Sequence, residues 1–224
     1  MRIAEIFYSV QGEGSLVGVP SIFVRTSGCN LRCSWCDTPY TSWNPEGEDL
    51  TIEAILERAA EFTAAKHAVL TGGEPMIASG IIELSERLRE RGMHITVETA
   101  GTVFAPVACD LMSISPKLSN STPEGVFRQQ HERLRWQPEV VRRLMGAYDY
   151  QLKFVIARAE DVGEVCKVIS ELDVAAGKVI LMPEGVSAEV LAARGVWLAE
   201  ICKRYGFRFS PRLHVDLYGN RRGV

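Results

Sequence analysis

The stretch His67-Ala-Val-Leu-Thr71-Gly72-Gly73-Glu74-Pro75, followed by residues 77–90 and then His94-Ile-Thr-Val-Glu98-Thr99, decides the fold. HAVLT and HITVET are short runs of apolar and β-branched residues of strand length, and the residues between them carry an amphipathic helical pattern. Strand, helix and strand in immediate succession make the unit that joins parallel neighbours, because parallel strands need a long crossover between them. The same alternation continues outward on both sides. Upstream, 5–10 and 21–25 read as strands and 51–62 as a helix, with Ile52, Ile55, Leu56, Ala59 and Phe62 on one face. Downstream, 110–115, 151–156, 178–182 and 207–211 read as strands, and 161–172 and 187–205 as helices. Residues 119–146 break the rhythm. They are rich in Arg, Gln and Glu, contain Pro123 and Pro138, and read as a helical insertion within a single domain spanning 1–224.

The fold class that follows is α/β, a partial (βα)6-type barrel with a mainly parallel sheet. Its 224 residues fall short of the ~250 typical of a closed eight-unit barrel. In such sheets, ligands and chemistry gather at the C-terminal ends of the strands. A composition of 46% hydrophobic and 24% charged residues supports one large core and excludes disordered and fibrous classes. The net charge of −3 gives no global attraction to nucleic acid or to an anionic membrane. No apolar run reaches the ~18 residues of a membrane span. The first residues, MRIAEIFYSVQGEG, are interrupted by Glu5 and Gln11 and do not read as a secretory leader. A cytoplasmic protein is the expectation, and its six cysteines are then read as thiols or metal ligands, not as a disulfide framework.

Three of the cysteines crowd together in Gly28-Cys29-Asn30-Leu31-Arg32-Cys33-Ser34-Trp35-Cys36-Asp37-Thr38. Spacings of four and three residues suit a loop wrapped around three corners of a four-iron, four-sulfur cube, which leaves one iron open to a ligand that is not protein. A structural zinc site would need a fourth ligand brought from elsewhere in the fold. An electron carrier would be expected to seal all four irons. Cys29, Cys33 and Cys36, with Trp35 just before the third, resemble the signature of the radical S-adenosylmethionine enzymes. In that superfamily the amino and carboxylate groups of S-adenosylmethionine chelate the open iron, and its reductive cleavage gives a 5′-deoxyadenosyl radical. The resemblance implies cofactor contacts at Trp35, Asp37, Gly72, Gly73, Glu74, Ser115 and Lys117.

The segment Glu5-Ile-Phe-Tyr-Ser-Val10-Gln11-Gly12-Glu13-Gly14 ends a strand with two glycines around a carboxylate, an edge suited to the amidine face of a pterin or guanine. Arg25 interrupts the apolar SIFV run, where a cation needs a protein carboxylate or an anionic substrate group. Thr38 offers a hard oxygen of the kind Mg²⁺ accepts. Taken together, EIFYSVQGEG, Arg25, CNLRCSWCDT, TGGEP, SPK, His214 and the tail GNRRGV resemble the 7-carboxy-7-deazaguanine synthase family. Residues 182–185 read Met-Pro-Glu-Gly, where some members have Gln-Pro.

The resemblance implies a radical carbon–nitrogen lyase. It would contract the ring of 6-carboxy-5,6,7,8-tetrahydropterin, with loss of ammonia, on the route to queuosine. It also implies an iron–sulfur cluster bound by Cys29, Cys33 and Cys36, Mg²⁺ at Thr38, and substrate contacts at Val10, Gln11, Gly12, Glu13, Arg25, Thr71 and His214. A flavodoxin or ferredoxin would serve as electron donor, and the chain would form a homodimer. An activating enzyme for a glycyl-radical partner would share the cysteine loop but not QGEG. A non-catalytic iron–sulfur or zinc module is the remaining alternative. Cys166 and Cys202 read as core thiols and Cys109 stays open; His67, His94 and His131 read as surface or strand-edge residues.

Overall fold

The computed structural model describes residues 1–224. The chain opens with a hairpin, β1 (Arg2–Val10) antiparallel to β2 (Pro20–Thr26), with Ile6 opposite Val24 and Phe7 opposite Phe23. A register shift between Ile3 and Glu5 lets β1 start earlier than its alternation suggested. A short helix α1 (Pro39–Ser42), a two-residue strand β3 (Glu48–Asp49) and helix α2 (Ile52–Ala60) follow. Then come β4 (His67–Gly72), α3 (Ile81–Glu90), β5 (His94–Thr99), β6 (Leu111–Ile114), α4 (Arg128–Leu134), α5 (Pro138–Ala147) and β7 (Tyr150–Ile156). The chain ends with α6 (Asp161–Leu172), β8 (Val179–Pro183), α7 (Ala188–Tyr205), β9 (Arg208–Phe209) and α8 (Leu213–Tyr218).

One sheet holds all nine strands in the order β3-β1-β2-β4-β5-β6-β7-β8-β9, parallel from β2 to β9. No pairing joins β3 to β9, so the barrel is open. Each later strand adds beside its predecessor, which leaves the helices on the outer face and an inner face free to line a site.

Period-two alternation sorts the two faces. Ile22 and Val24 of β2, Ala68 and Leu70 of β4, Ile95 and Val97 of β5, and Leu152, Phe154 and Ile156 of β7 belong to the main core beneath the helices. The intervening residues point the other way and are mostly polar: Arg25, Thr71, Glu98, Gln151 and Lys153. Helix α2 closes its outer face with Ile52, Ile55, Leu56 and Ala59, and Thr51 Oγ1 caps it by accepting from the Ala54 amide at 3.1 Å. Helix α3 starts at Ile81, later than the spacing suggested, because the short turn Pro75–Ile77 comes first and Gly80, at φ 86°, redirects the chain into the helix.

Two sequence readings change. Residues 119–146 are not an excursion from the barrel rhythm. They carry α4 and α5, which cross from β6 to its parallel neighbour β7, and α5 buries Val141 and Leu144. The Arg- and Gln-rich composition disguised this crossover, because only one side of α5 touches the core. His131 is not at the surface but fully buried, 1% exposed. His67 and His94 do sit at strand starts, as register partners with ring centroids 4.6 Å apart. Cys202 is buried, and Cys166 and Cys109 pack against the core; burial pushes the Cys109 thiol up to about 12.

Burial pushes the His131 imidazole down to about 4, and burial also lowers His67 and His214. The unfolded chain therefore holds more protons than the folded one as the pH falls from about 6.5 toward 4. The stability these neutral histidines contribute is complete above pH 6.5 and is lost through that window. Denaturant unfolding followed at several pH values should show a positive dependence of stability on pH there, reduced in His131→Asn. A flat profile in the parent chain would contradict the assignment.

Candidate active site

A cavity of about 430 Å³ opens at the C-terminal ends of the parallel strands. Its walls come from the turn after β1, the loop after β2, the ends of β4 to β8 and the segment after β9. The structure brings together on this one surface Val10, Gln11, Gly12, Glu13, Arg25, Cys29, Cys33, Trp35, Cys36, Asp37, Thr38, Thr71, Gly72, Gly73, Ser115, Lys117 and His214.

Glu74 is the exception among the expected residues. Its carboxylate is turned away from the cavity and buried, accepting from Thr99 Oγ1 at 2.7 Å and from the amides of Ala100 and Met76 at 2.8 and 3.1 Å. It fastens the end of β5 to the turn after β4. An acidic residue beside a Gly-Gly turn reads from sequence as ligand-facing; here the unpaired backbone amides at the end of the neighbouring strand claim it.

The cysteine loop is held from several directions. Gly28 has φ 108°, its amide donates to the Thr41 carbonyl at 2.8 Å, and its own carbonyl accepts from the Glu74 amide at 3.0 Å. Gly73 packs so closely here that a Cβ would overlap the Gly28 carbonyl oxygen, which explains a second glycine in the turn. The Arg32 guanidinium donates to the carbonyls of Cys29 and Leu31, each at 2.7 Å, and Trp43 Nε1 donates to the Cys33 carbonyl at 3.0 Å. Cys29, Cys33 and Cys36 therefore share one cavity wall, packed around Leu31 and Ala100.

Burial pushes the Cys29 and Cys33 thiols up to about 11 and about 12, so bound iron would displace their protons. The donor set is three thiols facing open space, which fits a cluster with one unsealed corner. No group of three or more His, Cys, Asp or Glu side chains converges on a point for a single ion.

The same cavity is lined by a chain of paired charges whose two cations, Lys153 and Arg212, are buried. Lys153, at an inward position of β7, pairs with Glu13 Oε2 and lies 4.0 Å from Glu98 Oε1. Glu98 also accepts from Gln11 Nε2 at 3.2 Å and Thr71 Oγ1 at 2.8 Å. Arg212 donates to Glu13 Oε1 at 3.1 Å, to the Gly185 carbonyl at 2.5 Å and to Asp37 Oδ2. Burial alone would raise the Glu13 and Asp37 carboxyls, but the adjoining cations Lys153 and Arg212 hold both below the usual carboxylate range. Burial would likewise lower Lys153, yet Glu13 and Glu98 keep it raised, so the network stays ionised.

Sequence reasoning missed Lys153 and Arg212. The first carried a usable signal, a lone cation at an inward position of the largely apolar strand YQLKFVI. The second sits in an aperiodic segment and carried none. Gly185, in the segment that departs from Gln-Pro, serves this network through its carbonyl.

Arg25 meets a protein carboxylate and still leaves donors free. Its Nε donates to Glu5 Oε2 at 2.8 Å, the oxygen that also accepts from Tyr40 Oη at 2.8 Å, while both terminal nitrogens make no hydrogen bond within the chain. Lys117 Nζ donates to the Ser115 carbonyl and Oγ, each at 2.9 Å, and lies 6.0 Å from the Trp35 ring centroid. His214 stacks over the backbone at Gly12, where any Cβ would overlap its ring.

Residues 23–172 match the Radical SAM superfamily. A 7-carboxy-7-deazaguanine synthase of Rhodopirellula baltica is 46% identical over 100% of this chain and 89% of its own length. One from Halobacterium salinarum is 40% identical over 98% and 91% of the two chains. Among solved structures, Escherichia coli QueE superposes with a TM-score of 0.70 at 25% identity, over 95% of this chain and 94% of that one. Streptococcus suis SuiB bound to its precursor peptide SuiA shares the fold, with a TM-score of 0.57 at 11% identity over 84% of this chain and 47% of that one. The cysteine loop, the glycine turn that docks on it and full-length similarity to these enzymes agree: the chain belongs to the 7-carboxy-7-deazaguanine synthase family of the radical S-adenosylmethionine superfamily.

Proposed function

We propose that this chain converts 6-carboxy-5,6,7,8-tetrahydropterin into 7-carboxy-7-deazaguanine with loss of ammonia, and that the two walls of the cavity divide the work. The observation that carries this reading is that the Gln11–Glu98–Thr71 and Glu13–Lys153 groups line the same cavity as the three cysteines. When bound, the iron–sulfur cluster and S-adenosylmethionine supply the hydrogen-abstracting radical. Cys29, Cys33 and Cys36 hold the cluster. The backbone of Gly72 and Gly73 would contact the methionine portion of S-adenosylmethionine, and Trp35, Ser115 and Lys117 would hold its adenosyl portion.

The pyrimidine edge of the pterin carries N–H donors, which suit the carboxylates of Glu13 and Glu98 with Gln11 between them. The free fork of Arg25 is positioned to take the substrate carboxylate. Thr38, whose Oγ1 lies 3.9 Å from Cys36 Sγ, offers one oxygen for Mg²⁺, with water and substrate to complete its shell. His214 closes the substrate side from α8. The reading extends to a cytoplasmic homodimer reduced by a flavodoxin or ferredoxin, in line with the reduced state such a cluster needs. No helix is long and apolar enough to cross a membrane.

Reconstituted, reduced protein given S-adenosylmethionine and the carboxypterin should yield carboxydeazaguanine by mass spectrometry. Formation of 5′-deoxyadenosine should depend on the pterin; cofactor cleavage stimulated only by a protein partner would replace this reading by that of an activating enzyme.

Arg25→Ala should weaken pterin binding about 10–100-fold, the range of a charge-assisted hydrogen bond, and leave slow uncoupled cofactor cleavage. Unchanged pterin affinity would remove Arg25 from the site. Lys153→Met strands Glu13 and Glu98 without their shared cation. It should destabilise the fold by about 3 kcal/mol or more and lower kcat/KM for the pterin by roughly 100-fold. Adding Glu13→Gln to it should recover part of the melting temperature but none of the pterin affinity, which calorimetry and binding titration would separate.

A further inference from the structure

The segment that follows Lys117, which the function above leaves without a role, is joined to the cysteine loop at three points. The Arg32 amide, between the first and second cysteines, donates to His131 Nδ1 at 3.2 Å. The Ser34 amide, between the second and third, donates to the Ser121 carbonyl at 2.9 Å. Trp35 Nε1 donates to the Asn120 carbonyl at 3.0 Å. Two further amides are used within the loop itself: that of Leu31 lies 3.4 Å from Cys29 Sγ, and that of Cys36 donates to the Cys33 carbonyl at 3.3 Å. Two amides that the loop does not use itself, those of Arg32 and Ser34, are thus fixed by this segment, and the three cysteines of the loop line one cavity.

His131 sits at the centre of the arrangement. Because its Nδ1 accepts from an amide, the proton must lie on Nε2, and Nε2 finds the Ser121 hydroxyl at 2.9 Å, which donates onward to the Leu118 carbonyl at 2.6 Å. The turn Ser119–Ser121 is itself braced. Asn120 Nδ2 donates to Asp161 Oδ2 at 2.7 Å and to the Val155 carbonyl at 3.0 Å, and the Ser119 amide and hydroxyl donate to Glu164 at 2.9 and 2.6 Å. From α4 and the turn before it, Phe127 packs edge-on to Trp43 at 5.6 Å and under the Arg32 guanidinium at 5.4 Å.

We propose that residues 118–131 act as a splint for the cysteine loop, with His131 as the positioning residue that holds the loop in its cluster-ready shape before iron arrives. The splint rests on the cluster reading of Cys29, Cys33 and Cys36 and not on the identity of the pterin. Its chemistry is structural. A fixed Nε2–H tautomer presents a lone pair to one amide, and no proton or electron moves.

The test compares four full-length chains, parent, His131→Ala, His131→Asn and His131→Gln. An asparagine amide reaches the place of Nδ1, whereas a glutamine amide reaches the place of Nε2. Hydrogen exchange by mass spectrometry on the peptide 28–38 of the iron-free chain should be at least ~10-fold faster in His131→Ala than in the parent, with the core strands unchanged. His131→Asn should restore the parent rate and His131→Gln should not. After reconstitution, loss of the cluster signal in the visible spectrum to a chelator should follow the same order. Equal exchange in parent and His131→Ala, or rescue by glutamine in place of asparagine, would overturn the proposal. If His131→Ala does not fold, the asparagine and glutamine chains decide it alone. Failure of the parent chain to take up iron would instead overturn the cluster reading.

Discussion

The structure depends on one chain of paired charges, Asp37–Arg212–Glu13–Lys153···Glu98, laid across the polar inner face of the barrel with both of its cations buried. Ions of this kind are costly to desolvate, and an unpaired member would be worse than none. Each is therefore shared by two or more elements. Arg212 joins the segment after β9 to the cysteine loop and to the turn after β1, and Lys153 joins that turn to β7 and β5. The barrel has no strand pairing to close it. Across its open mouth, the charges do part of what hydrogen-bonded strands would do in a closed barrel, and they leave a cavity where a packed core would leave none.

This division of labour explains why the sheet's two faces read so differently. The outer face follows ordinary rules: β-branched and aliphatic side chains alternate toward α2, α3, α5 and α6 and form one continuous core. The inner face holds Gln11, Thr71, Ser113, Gln151 and Lys153, each buried yet hydrogen-bonded. Gln151, for instance, donates to Ser113 Oγ at 2.8 Å and accepts from the Ser15 amide at 2.9 Å. A polar group in a dry interior fixes its neighbours only when fully satisfied. Here satisfaction ties the turn after β1 to the middle of the sheet.

Much of this was legible from residues alone. Local periodicity carries the strand and helix alternation, and the three cysteines with their aromatic neighbour carry the cluster loop. Every substrate and cofactor position inferred from resemblance except Glu74 lines one cavity. What escaped was long-range pairing. Nothing near Arg212 in sequence indicates that it meets Asp37 and Glu13 from opposite parts of the chain. Nothing near His131 indicates an amide in the cysteine loop as its partner. Composition misled at 119–146, because a crossover helix exposed on one side looks like an excursion until its strands are seen to be neighbours. Glu74 misled for the complementary reason, since local motif context cannot reveal which nearby backbone donors lack acceptors.

The charges also give the cavity a direction. Its floor carries three carboxylates, Asp37, Glu13 and Glu98, against two cations, Lys153 and Arg212, and so retains one net negative charge. Arg25, already neutralised at Nε by Glu5, presents its unpaired donors from a different strand. A ligand with N–H donors at one end and a carboxylate at the other fits this field in a single orientation; reversed, it would set carboxylate against carboxylate at the floor and donors against guanidinium at Arg25. In a site of low dielectric such a reversal is strongly disfavoured. Because Asp37 immediately follows Cys36, the field that orients the ligand is joined through Arg212 to the loop that carries the thiols. On the proposed function, substrate orientation and the placement of the reactive centre would be set by one connected set of bonds; the glycines at 72 and 73 let the turn after β4 come close to the backbone of Thr26 and Gly28 beside it, and Gly12 leaves room for the His214 ring.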